Sequence, residues 1–342
     1  MSSAARSPRL ASTRREAAAE FARRWSSTPS ATSRRTTGRR FTAEWLCLRE
    51  PFDAIARDVA ASRLKLREQL AYLSANASGP LRVIDLACGT GANLRWLAPR
   101  LGGDQQWLVV DHDAALLHRW PQCLAAAREG ASSTPRQRSP HHDTRLASPI
   151  RWHGPGFDAA IIRRRLDLAR HLERLPWHAA QLVTASALLD LVSVGWLHRL
   201  MTAAVSARVA LLMALTVDGR HVWAPRDADD GEVAALFAAH QHRDKGFEGP
   251  ALGADAGPAL ERALHAAGYR VHVARSDWQL DGRNVRARAL LHALIDGMAG
   301  AAQEQQPRAA ALVQAWRQRR LALAPGGTLR VGHVDLLALP PR

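Results

Sequence analysis

Two acidic residues and a short loop with two glycines form the part of this sequence best suited to bind a ligand. Asp85 ends an apolar run within "RVIDLACGTGANLRWLAP" (82–99), and Gly89 and Gly91 follow it in a loop of small residues. Asp111 ends the next apolar run, 22 residues after Gly89. Glycines let the backbone approach a ligand closely, and a carboxylate accepts hydrogen bonds from hydroxyl groups. We therefore expect a ligand site between the two acids.

These residues need alternating strands and helices to position them. Apolar runs of strand length are separated by segments in which apolar residues recur at helical spacing. Nearly continuous apolar strands between helices predict a parallel sheet covered on both faces, which is a doubly wound α/β fold. Strands are predicted at 82–85, 106–113, 158–166, 181–186, 208–217, 269–276 and 328–338, and helices at 92–101, 113–128, 189–204, 284–300 and 308–323.

A single domain is expected over residues 41–342, after a disordered tail rich in Arg and Ser (1–40). The tail also has the composition of an organelle transit peptide, or of an upstream stretch translated by accident. Pro51 predicts a break, with a helix after it. Within the domain we predict an N-terminal helical cap (41–80), a flexible loop (129–157) and two helical insertions (218–268 and 283–325).

The amino-acid composition limits which partners the chain is expected to bind. The formal net charge is +16, and half of it lies in the first 40 residues. The remaining Arg residues are scattered along the chain, so nucleic acid is not the expected partner. The three cysteines, Cys47, Cys88 and Cys123, are too far apart for a disulfide framework or a CxxC metal site.

Other classes of site also lack support in the sequence. His141 and His142 have no third ligand at a usable spacing, so no metal is expected. No apolar run reaches about 18 residues, the length a membrane span requires. We therefore expect a cytoplasmic protein that is not inserted in a membrane.

The glycine loop departs from the two common phosphate-binding patterns. A P-loop requires GxxxxGK[ST], and no lysine lies near the loop. A dinucleotide site requires GxGxxG, but Leu94 stands where the third glycine allows close packing of helix on strand. An NAD(P)-dependent oxidoreductase stays an alternative hypothesis.

The segment "DLACGTG" resembles motif I of the class I S-adenosylmethionine-dependent methyltransferases, with Ala87 at the position of the first glycine. The resemblance implies that Asp85, Ala87, Gly89 and Gly91 bind the methionine part and ribose of S-adenosylmethionine. It also implies that Asp111, with its neighbour His112, binds the two ribose hydroxyls. A carboxylate suits a vicinal diol because each oxygen accepts one hydrogen bond.

Two further strand ends extend the resemblance. Asp167 and Leu168 follow the third strand, where the family contacts adenine, although Asp167 also suits an ordinary helix cap. Ser186 ends the fourth strand, where the family places a residue beside the sulfonium. The resemblance implies a Rossmann-like sheet of seven mostly parallel strands, with the last strand antiparallel and helical insertions that form a lid.

The acceptor is expected to be a small molecule. The fourth strand lacks the [DNS]-P-P-[YFW] motif of enzymes that modify amides or exocyclic amines, and no Pro-Cys dipeptide marks a cytosine C5 enzyme. The lid segment 221–253 contains a polar cluster. Within it, His240 or Asp244 is predicted to take the acceptor proton. Lys245 of the same segment, or Arg49 near the start of the domain, is predicted to bind an acidic acceptor. The alternative is a packing histidine and a solvated Asp–Lys pair.

Two stretches also resemble an uncharacterised bacterial methyltransferase group that has "WLxLREPxDxxAR" near its start and "HQxxDKGF" in its lid. They correspond here to residues 45–57 and 240–247. The predicted function is methyl transfer from S-adenosylmethionine to an O, N or C nucleophile of a small molecule. The alternatives are an RNA methyltransferase, an NAD(P)-dependent oxidoreductase and a non-catalytic binding protein. The oligomeric state is open.

Overall fold

A computed structural model describes residues 41–75, 79–128, 146 and 148–341. Its described part contains one nine-stranded sheet in the order β3-β4-β2-β1-β5-β6-β9-β7, with β8 pairing to β9. The strands are β1 (Leu81–Leu86), β2 (Gly103–Asp111), β3 (Ile150–Gly154), β4 (Phe157–Arg165), β5 (Leu182–Ser186), β6 (Ala210–Ala224), β7 (Arg270–Arg275), β8 (Trp278–Asp281) and β9 (Thr328–Leu339).

Helices cover both faces of this sheet. They are α1 (Ala43–Arg63), α2 (Leu66–Ala75), α3 (Ala92–Leu101), α4 (Ala114–His118), α5 (Trp120–Arg128), α6 (Leu168–His171), α7 (Val194–Ala207), α8 (Asp230–Gln241), α9 (Ala256–Ala266), α10 (Val285–Gln305) and α11 (Ala310–Leu323). None of the helices in the described residues is long and apolar enough to cross a membrane.

The parallel strands bury both of their faces, as their unbroken apolar sequences predict. In β1, Ile84 and Leu86 pack into one core with strands β2, β5 and β6, while Val83 packs into a second core on the opposite face. The doubly wound α/β class and the antiparallel last strand are therefore confirmed, because β9 pairs antiparallel with β6, β7 and β8.

The prediction of seven strands is wrong by two short strands. β3 lies inside the segment 129–157 that we predicted as a flexible loop, and it forms an antiparallel hairpin with β4. Trp152 of β3 is buried and its ring lies 4.9 Å from that of Phe157 of β4, which holds the two strands of the hairpin together. β8 is a four-residue strand on the edge of β9. Polar residues interrupt both strands, since β3 reads IRWHG and β8 reads WQLD, so neither forms an unbroken apolar run. His141 and His142 lie outside the described residues.

Two other boundaries differ from the predictions. Pro51 does not break the chain, because helix α1 runs through it from Ala43 to Arg63. Proline removes one backbone hydrogen bond, and here α1 is held from both sides by side-chain contacts described below. β6 also continues to Ala224, so the helical insertion predicted from residue 218 begins with strand.

The carboxyl ends of β4, β2, β1 and β5 meet at one edge of the sheet. The register pairs Leu86 of β1 with Val110 of β2 and with Ala185 of β5. The strand order reverses at β1, since β2 lies on one side of it and β5 on the other. In open α/β sheets a ligand binds at such a switch point, outside the carboxyl ends of the strands.

Candidate active site at the carboxyl edge of the sheet

The glycine loop is a tight turn that exposes backbone groups. Ala87, Gly89 and Gly91 all adopt positive φ angles of 50°, 52° and 90°. Gly91 N–H donates to the Cys88 carbonyl over 2.9 Å, which closes the turn just before α3 begins at Ala92. Ala87 stands where the family has glycine, and it adopts the left-handed conformation at a steric cost.

Trp120 of α5 packs against the glycine loop. Its Nε1 donates to the Gly89 carbonyl over 2.9 Å, and the ring is fully buried. A Cβ added at Gly91 would stand 2.8 Å from Trp120 Cζ2, so the ring occupies the space that any side chain there would need. On the other side, a Cβ on Gly89 would stand 3.0 Å from Leu46 Cδ1 of α1. The loop is therefore held between α5 and α1.

This packing predicts a large stability cost for Gly91→Ala. A left-handed Ala costs about 1–2 kcal/mol, and forcing a methyl group into a packed core costs about 1–3 kcal/mol more. Gly103→Ala is the matched control, because Gly103 also has positive φ but has no atom within 4 Å of its added Cβ. Urea unfolding should show a clearly larger loss of stability for Gly91→Ala. Equal losses of stability in the two variants would mean that the Trp120 ring moves aside at no cost in free energy.

Asp111 is tied directly to the loop. Its Oδ2 accepts from Gly89 N–H over 2.8 Å, and its Oδ1 accepts from Asp113 N–H over the same distance. Burial raises the pKa of this carboxyl, and the two backbone hydrogen bonds act in the opposite direction. Each oxygen keeps one more acceptor site. His112 lies beside it with Nδ1 3.4 Å from Oδ1, and its side chain is mostly exposed.

Asp85 is a buried carboxyl with one unused oxygen. Its Oδ1 accepts from Asn93 Nδ2 over 2.7 Å, whereas Oδ2 has no hydrogen-bond partner among the described residues. Burial raises the pKa of Asp85 to about 7, despite the opposing effects of the Asn93 hydrogen bond and the nearby Arg57 charge. A buried carboxylate oxygen without a donor is costly, and a bound cationic group would satisfy it.

The remaining cofactor candidates stand at the same edge. Ser186 ends β5 one residue beyond the partner of Leu86, so it lies next to Ala87 in register. Asp167 caps α6 by accepting from Ala169 N–H over 3.0 Å, which is the helix-cap alternative for this residue. The side chain of Leu168 is buried, and its carbonyl accepts from Trp196 Nε1 over 2.8 Å.

Arg49, predicted to bind an acidic acceptor, is engaged within the protein. Its guanidinium forms a two-pronged ion pair with Asp53, with Nε 2.9 Å from Oδ2, and it lies 4.9 Å from the Trp278 ring. Trp278 Nε1 donates to the same carboxyl over 3.0 Å. Burial raises the pKa of Asp53, and the Arg49 charge opposes that effect.

His240 and Asp244, the two alternatives predicted to take the acceptor proton, both have partners within the protein. His240 Nε2 lies 3.0 Å from Glu304 Oε2 of α10, and burial lowers the pKa of this histidine. Asp244 is exposed and its Oδ1 accepts from Gly246 N–H and Phe247 N–H, which closes a turn. Lys245 Nζ donates to the His240 carbonyl over 2.8 Å.

Two residues near the edge were not among the sequence candidates. Asp190, four residues after Ser186, has an inaccessible Oδ1 without a hydrogen-bond partner in the described part of the chain. Burial raises its pKa, and the charges of Arg49 and Lys245 oppose the shift. Arg57 of α1 is 2% exposed and contacts Asn93. The position of Asp190 after a strand end could have identified it as a candidate from the sequence. No local sequence pattern distinguishes Arg57.

The comparisons with known proteins describe similarity of fold. No protein-family model matches the chain, and no curated protein matches it. Within the described ranges there is also no group of three or more side chains able to hold a metal.

Solved structures match at low identity. Phosphoethanolamine N-methyltransferase 2 of Haemonchus contortus, solved with phosphomonomethylethanolamine and S-adenosylhomocysteine, is 13% identical over 88% of this chain, with a TM-score of 0.39. This chain spans 59% of that protein's length. A cyclopropane-fatty-acyl-phospholipid synthase-like protein of Lactobacillus casei is 12% identical, with a TM-score of 0.42 over 89% of this chain and 96% of its own.

Geranyl diphosphate C-methyltransferase of Streptomyces coelicolor, solved with geranyl diphosphate, Mg²⁺ and S-adenosylhomocysteine, is 14% identical, with a TM-score of 0.33 over 95% of this chain and 98% of its own. At these identities and scores the matches assign neither acceptor nor activity to this chain. The solved structures to which this chain is similar include several S-adenosylmethionine-dependent methyltransferases.

Proposed function

We propose that this chain transfers a methyl group from S-adenosylmethionine to an O, N or C nucleophile of a small-molecule acceptor. The observation that carries the proposal is the hydrogen bond of 2.8 Å from Gly89 N–H to Asp111 Oδ2, at the switch point of the sheet. It joins the loop that resembles motif I to the acid at the end of the neighbouring strand. Ser186 stands on the opposite side of the loop.

The residues at this edge fit the cofactor. Asp85 Oδ2 is a buried acceptor without a partner among the described residues, which suits the ammonium of the methionine part. Asp111 holds its carboxylate in place through two backbone hydrogen bonds and has acceptor sites left for the ribose hydroxyls. When bound, S-adenosylmethionine supplies an electrophilic methyl group on a sulfonium.

In this proposal the chain contributes to the reaction mainly by aligning the acceptor nucleophile with the methyl group. A reactive electrophile needs a nucleophile held in line with it, and positioning supplies much of the rate. In our proposal Ser186 lies at the sulfonium side, and the acceptor lies beyond β5, under the segment that contains Lys245. This segment is attached to residues that follow β5. Ser193 Oγ donates to the Phe247 carbonyl, and Leu252 N–H donates to the Val192 carbonyl.

We assign the acceptor proton to Asp190 in preference to His240 or Asp244. His240 is paired with Glu304, and Asp244 accepts two backbone hydrogen bonds within its own turn. Asp190 instead follows the strand end that carries Ser186, and its Oδ1 has no partner in the described residues. Burial raises the pKa of Asp190, which makes its carboxylate a stronger base than an exposed one.

An NAD(P)-dependent oxidoreductase has less support. Leu94, at the position of the third fingerprint glycine, is fully buried in the core under the loop, so helix α3 does not approach β1 as closely as a glycine permits. No feature of the described residues favours RNA as the acceptor.

A labelling experiment tests the proposal. The protein is incubated with S-adenosylmethionine that carries a tritiated methyl group, together with a bacterial extract separated into small-molecule, RNA and protein fractions. We expect enzyme-dependent label in the small-molecule fraction, and none with an Asp111→Asn variant. Label in RNA alone would support the RNA methyltransferase. Cofactor binding without label in any fraction would support a non-catalytic protein.

A further inference from the structure

A cavity of about 240 Å³ lies between helices α2 and α3. Its floor is apolar, because Leu66, Leu70 and Leu97 line it and each of them is at most 4% exposed. Helix α3 begins directly after Gly91 and is about 15 Å long. The cavity lies against the other end of this helix, so the cofactor site proposed at the glycine loop does not explain it.

The turn between α1 and α2 brings the leucines of α2 over α3. Lys65 in this turn adopts a left-handed φ of 49°. Leu66 and Leu70 are one helical turn apart, so they lie on the same face of α2 and pack into one core with Leu97. The next residue, Ala71, is exposed and also lines the cavity. Because its side chain is only a methyl group, it leaves the mouth of the cavity open.

The charged residues that line the cavity are cationic. Arg67 of α2 is exposed and has no ion-pair partner among the described residues. Arg100 of α3 is partly exposed, pairs with Asp58, and has its guanidinium carbon 4.2 Å from the centre of the Trp96 ring. None of the described residues that line the cavity is acidic. The rim of the cavity therefore attracts an anion.

Arg57 increases the positive charge beside Arg100. Its guanidinium carbon lies 3.8 Å from the centre of the Trp96 ring, so two guanidinium groups contact the same indole. Burial lowers the pKa of Arg57, and the charge of Arg100 adds to that effect. Like charges this close repel each other. An anion bound beside Arg100 would reduce the repulsion.

The volume of the cavity limits the size of its ligand. An apolar cavity of about 150 Å³ in a protein can hold benzene, so a volume of about 240 Å³ suits roughly ten non-hydrogen atoms. The leucines of the floor would contact an apolar body. A charged group would stay at the exposed rim, where it keeps part of its hydration.

We propose that this cavity binds a small organic carboxylate, with its apolar body on the leucines and its carboxylate beside Arg67 and Arg100. A medium-chain fatty acid and an arylalkanoic acid share this chemistry. The site is separate from the glycine loop and does not depend on the proposed function. Its ligand contacts α3, the helix that begins at that loop.

The first test changes only the ligand. Calorimetric titrations of the unmodified protein compare octanoate and phenylacetate with 1-octanol and octylammonium. Burial of the apolar body predicts that the better carboxylate binds at one site per chain with a Kd on the order of 0.1–1 mM. The alcohol should bind about 2- to 5-fold more weakly and the ammonium at least about tenfold more weakly.

The same titrations identify the source of the carboxylate and can refute the site. Tighter binding of octanoate would indicate a fatty acid, and tighter binding of phenylacetate an arylalkanoic acid. Absence of saturable binding of both carboxylates would overturn the proposal. Binding of 1-octanol as tight as that of the better carboxylate would also overturn it, because the rim would then not select an anion.

The second test reverses one charge at the rim. Arg67→Glu should weaken octanoate binding about tenfold and strengthen octylammonium binding, because attraction is replaced by repulsion. Arg63→Glu is the matched control, since Arg63 is exposed nearby but does not line the cavity. It should leave both affinities within about twofold, because salt screens charges more than about 8 Å apart. Equal effects of the two variants would contradict the position given to the carboxylate.

The third test closes the mouth of the cavity. Ala71→Trp should abolish octanoate binding, and the exposed position of Ala71 should let the variant fold. Glu68→Trp is the matched control, because Glu68 is also exposed on α2 but lies outside the lining. Thermal unfolding checks that both variants are folded. Unchanged octanoate binding by Ala71→Trp would place the ligand elsewhere and overturn the proposal.

A competition experiment separates this site from the proposed function. Saturating S-adenosylhomocysteine should change the octanoate affinity by less than about twofold, because two separate sites need not be coupled. Mutually exclusive binding of the two ligands would place octanoate in the cofactor site and overturn the proposal. Octanoate binding by a protein that binds no adenosyl ligand would refute the proposed function and support the carboxylate site.

Discussion

Asp85→Asn is expected to weaken S-adenosylhomocysteine binding and to stabilise the protein at the same time. Binding at pH 8 should fall about 10- to 100-fold, because the ammonium loses a charged acceptor. The free energy of unfolding should rise, by at most about 4 kcal/mol, because a buried carboxyl with a pKa of about 7 is removed. Asn retains the oxygen that accepts from Asn93.

The pH dependence of the unmodified protein follows from the same carboxyl. Its folded pKa of about 7 lies above the ordinary value of 3.8, so its contribution to stability is present below about pH 4 and is lost as the pH rises to about 7. Ligand binding has the opposite dependence, since the ammonium binds the ionised form. Affinity should increase about tenfold from pH 6 to pH 8, and Asp85→Asn should abolish this increase.

A matched control exists at the same edge of the sheet. Asp113 caps α4 by accepting from Ala115 N–H over 2.8 Å. Asn is an equally good capping residue, so Asp113→Asn should change neither affinity nor stability. Thermal unfolding and calorimetry check the three proteins. An Asp85→Asn variant that binds normally at pH 8 would show that the ammonium is held elsewhere.

Asp111→Asn is expected to have the second large effect. The variant should lose both the order of the glycine loop and the recognition of the ribose. Asn offers one acceptor oxygen in place of two, so either Gly89 N–H or Asp113 N–H loses its partner at a buried position. That change costs about 1–3 kcal/mol of stability. Affinity for S-adenosylhomocysteine should fall by about 100-fold, because the hydroxyl acceptors are lost as well.

A ligand without the ribose hydroxyls separates these two effects. If Asp111 contacts the diol as well as ordering the loop, the variant should lose less affinity for a 2′,3′-dideoxy analogue of S-adenosylhomocysteine than for S-adenosylhomocysteine itself. If Asp111 only orders the loop, both ligands should lose affinity by the same factor in the variant. The second result would remove the diol contact from the proposed site.

The central architecture was predictable because its signals are local. Asp85, Asp111 and Ser186 each follow an unbroken apolar run, and such runs form buried parallel strands whose ends meet at one edge. The structure places all three at adjacent strand ends. Short elements had no such signal: β3 and β8 depend on pairing with a neighbouring strand, and a helix held by side chains on several segments continues through Pro51.

The parts of the site that depend on packing were not predictable. Arg57 is buried only because two separate segments approach it, α3 with Asn93 and Trp96 and β9 with Asp335. The roles predicted for His240 and Asp244 followed from residue types in a lid segment. The partner of His240 is Glu304, 64 residues away, and no sequence pattern predicts that pair.

The most direct test of the account is calorimetric titration of the unmodified protein with S-adenosylmethionine, S-adenosylhomocysteine and NADH at pH 8. We expect micromolar binding of both adenosyl ligands with one site per chain, and no binding of NADH. Tight NADH binding, or no heat with either adenosyl ligand, would contradict the assignment of the glycine loop as an S-adenosylmethionine site.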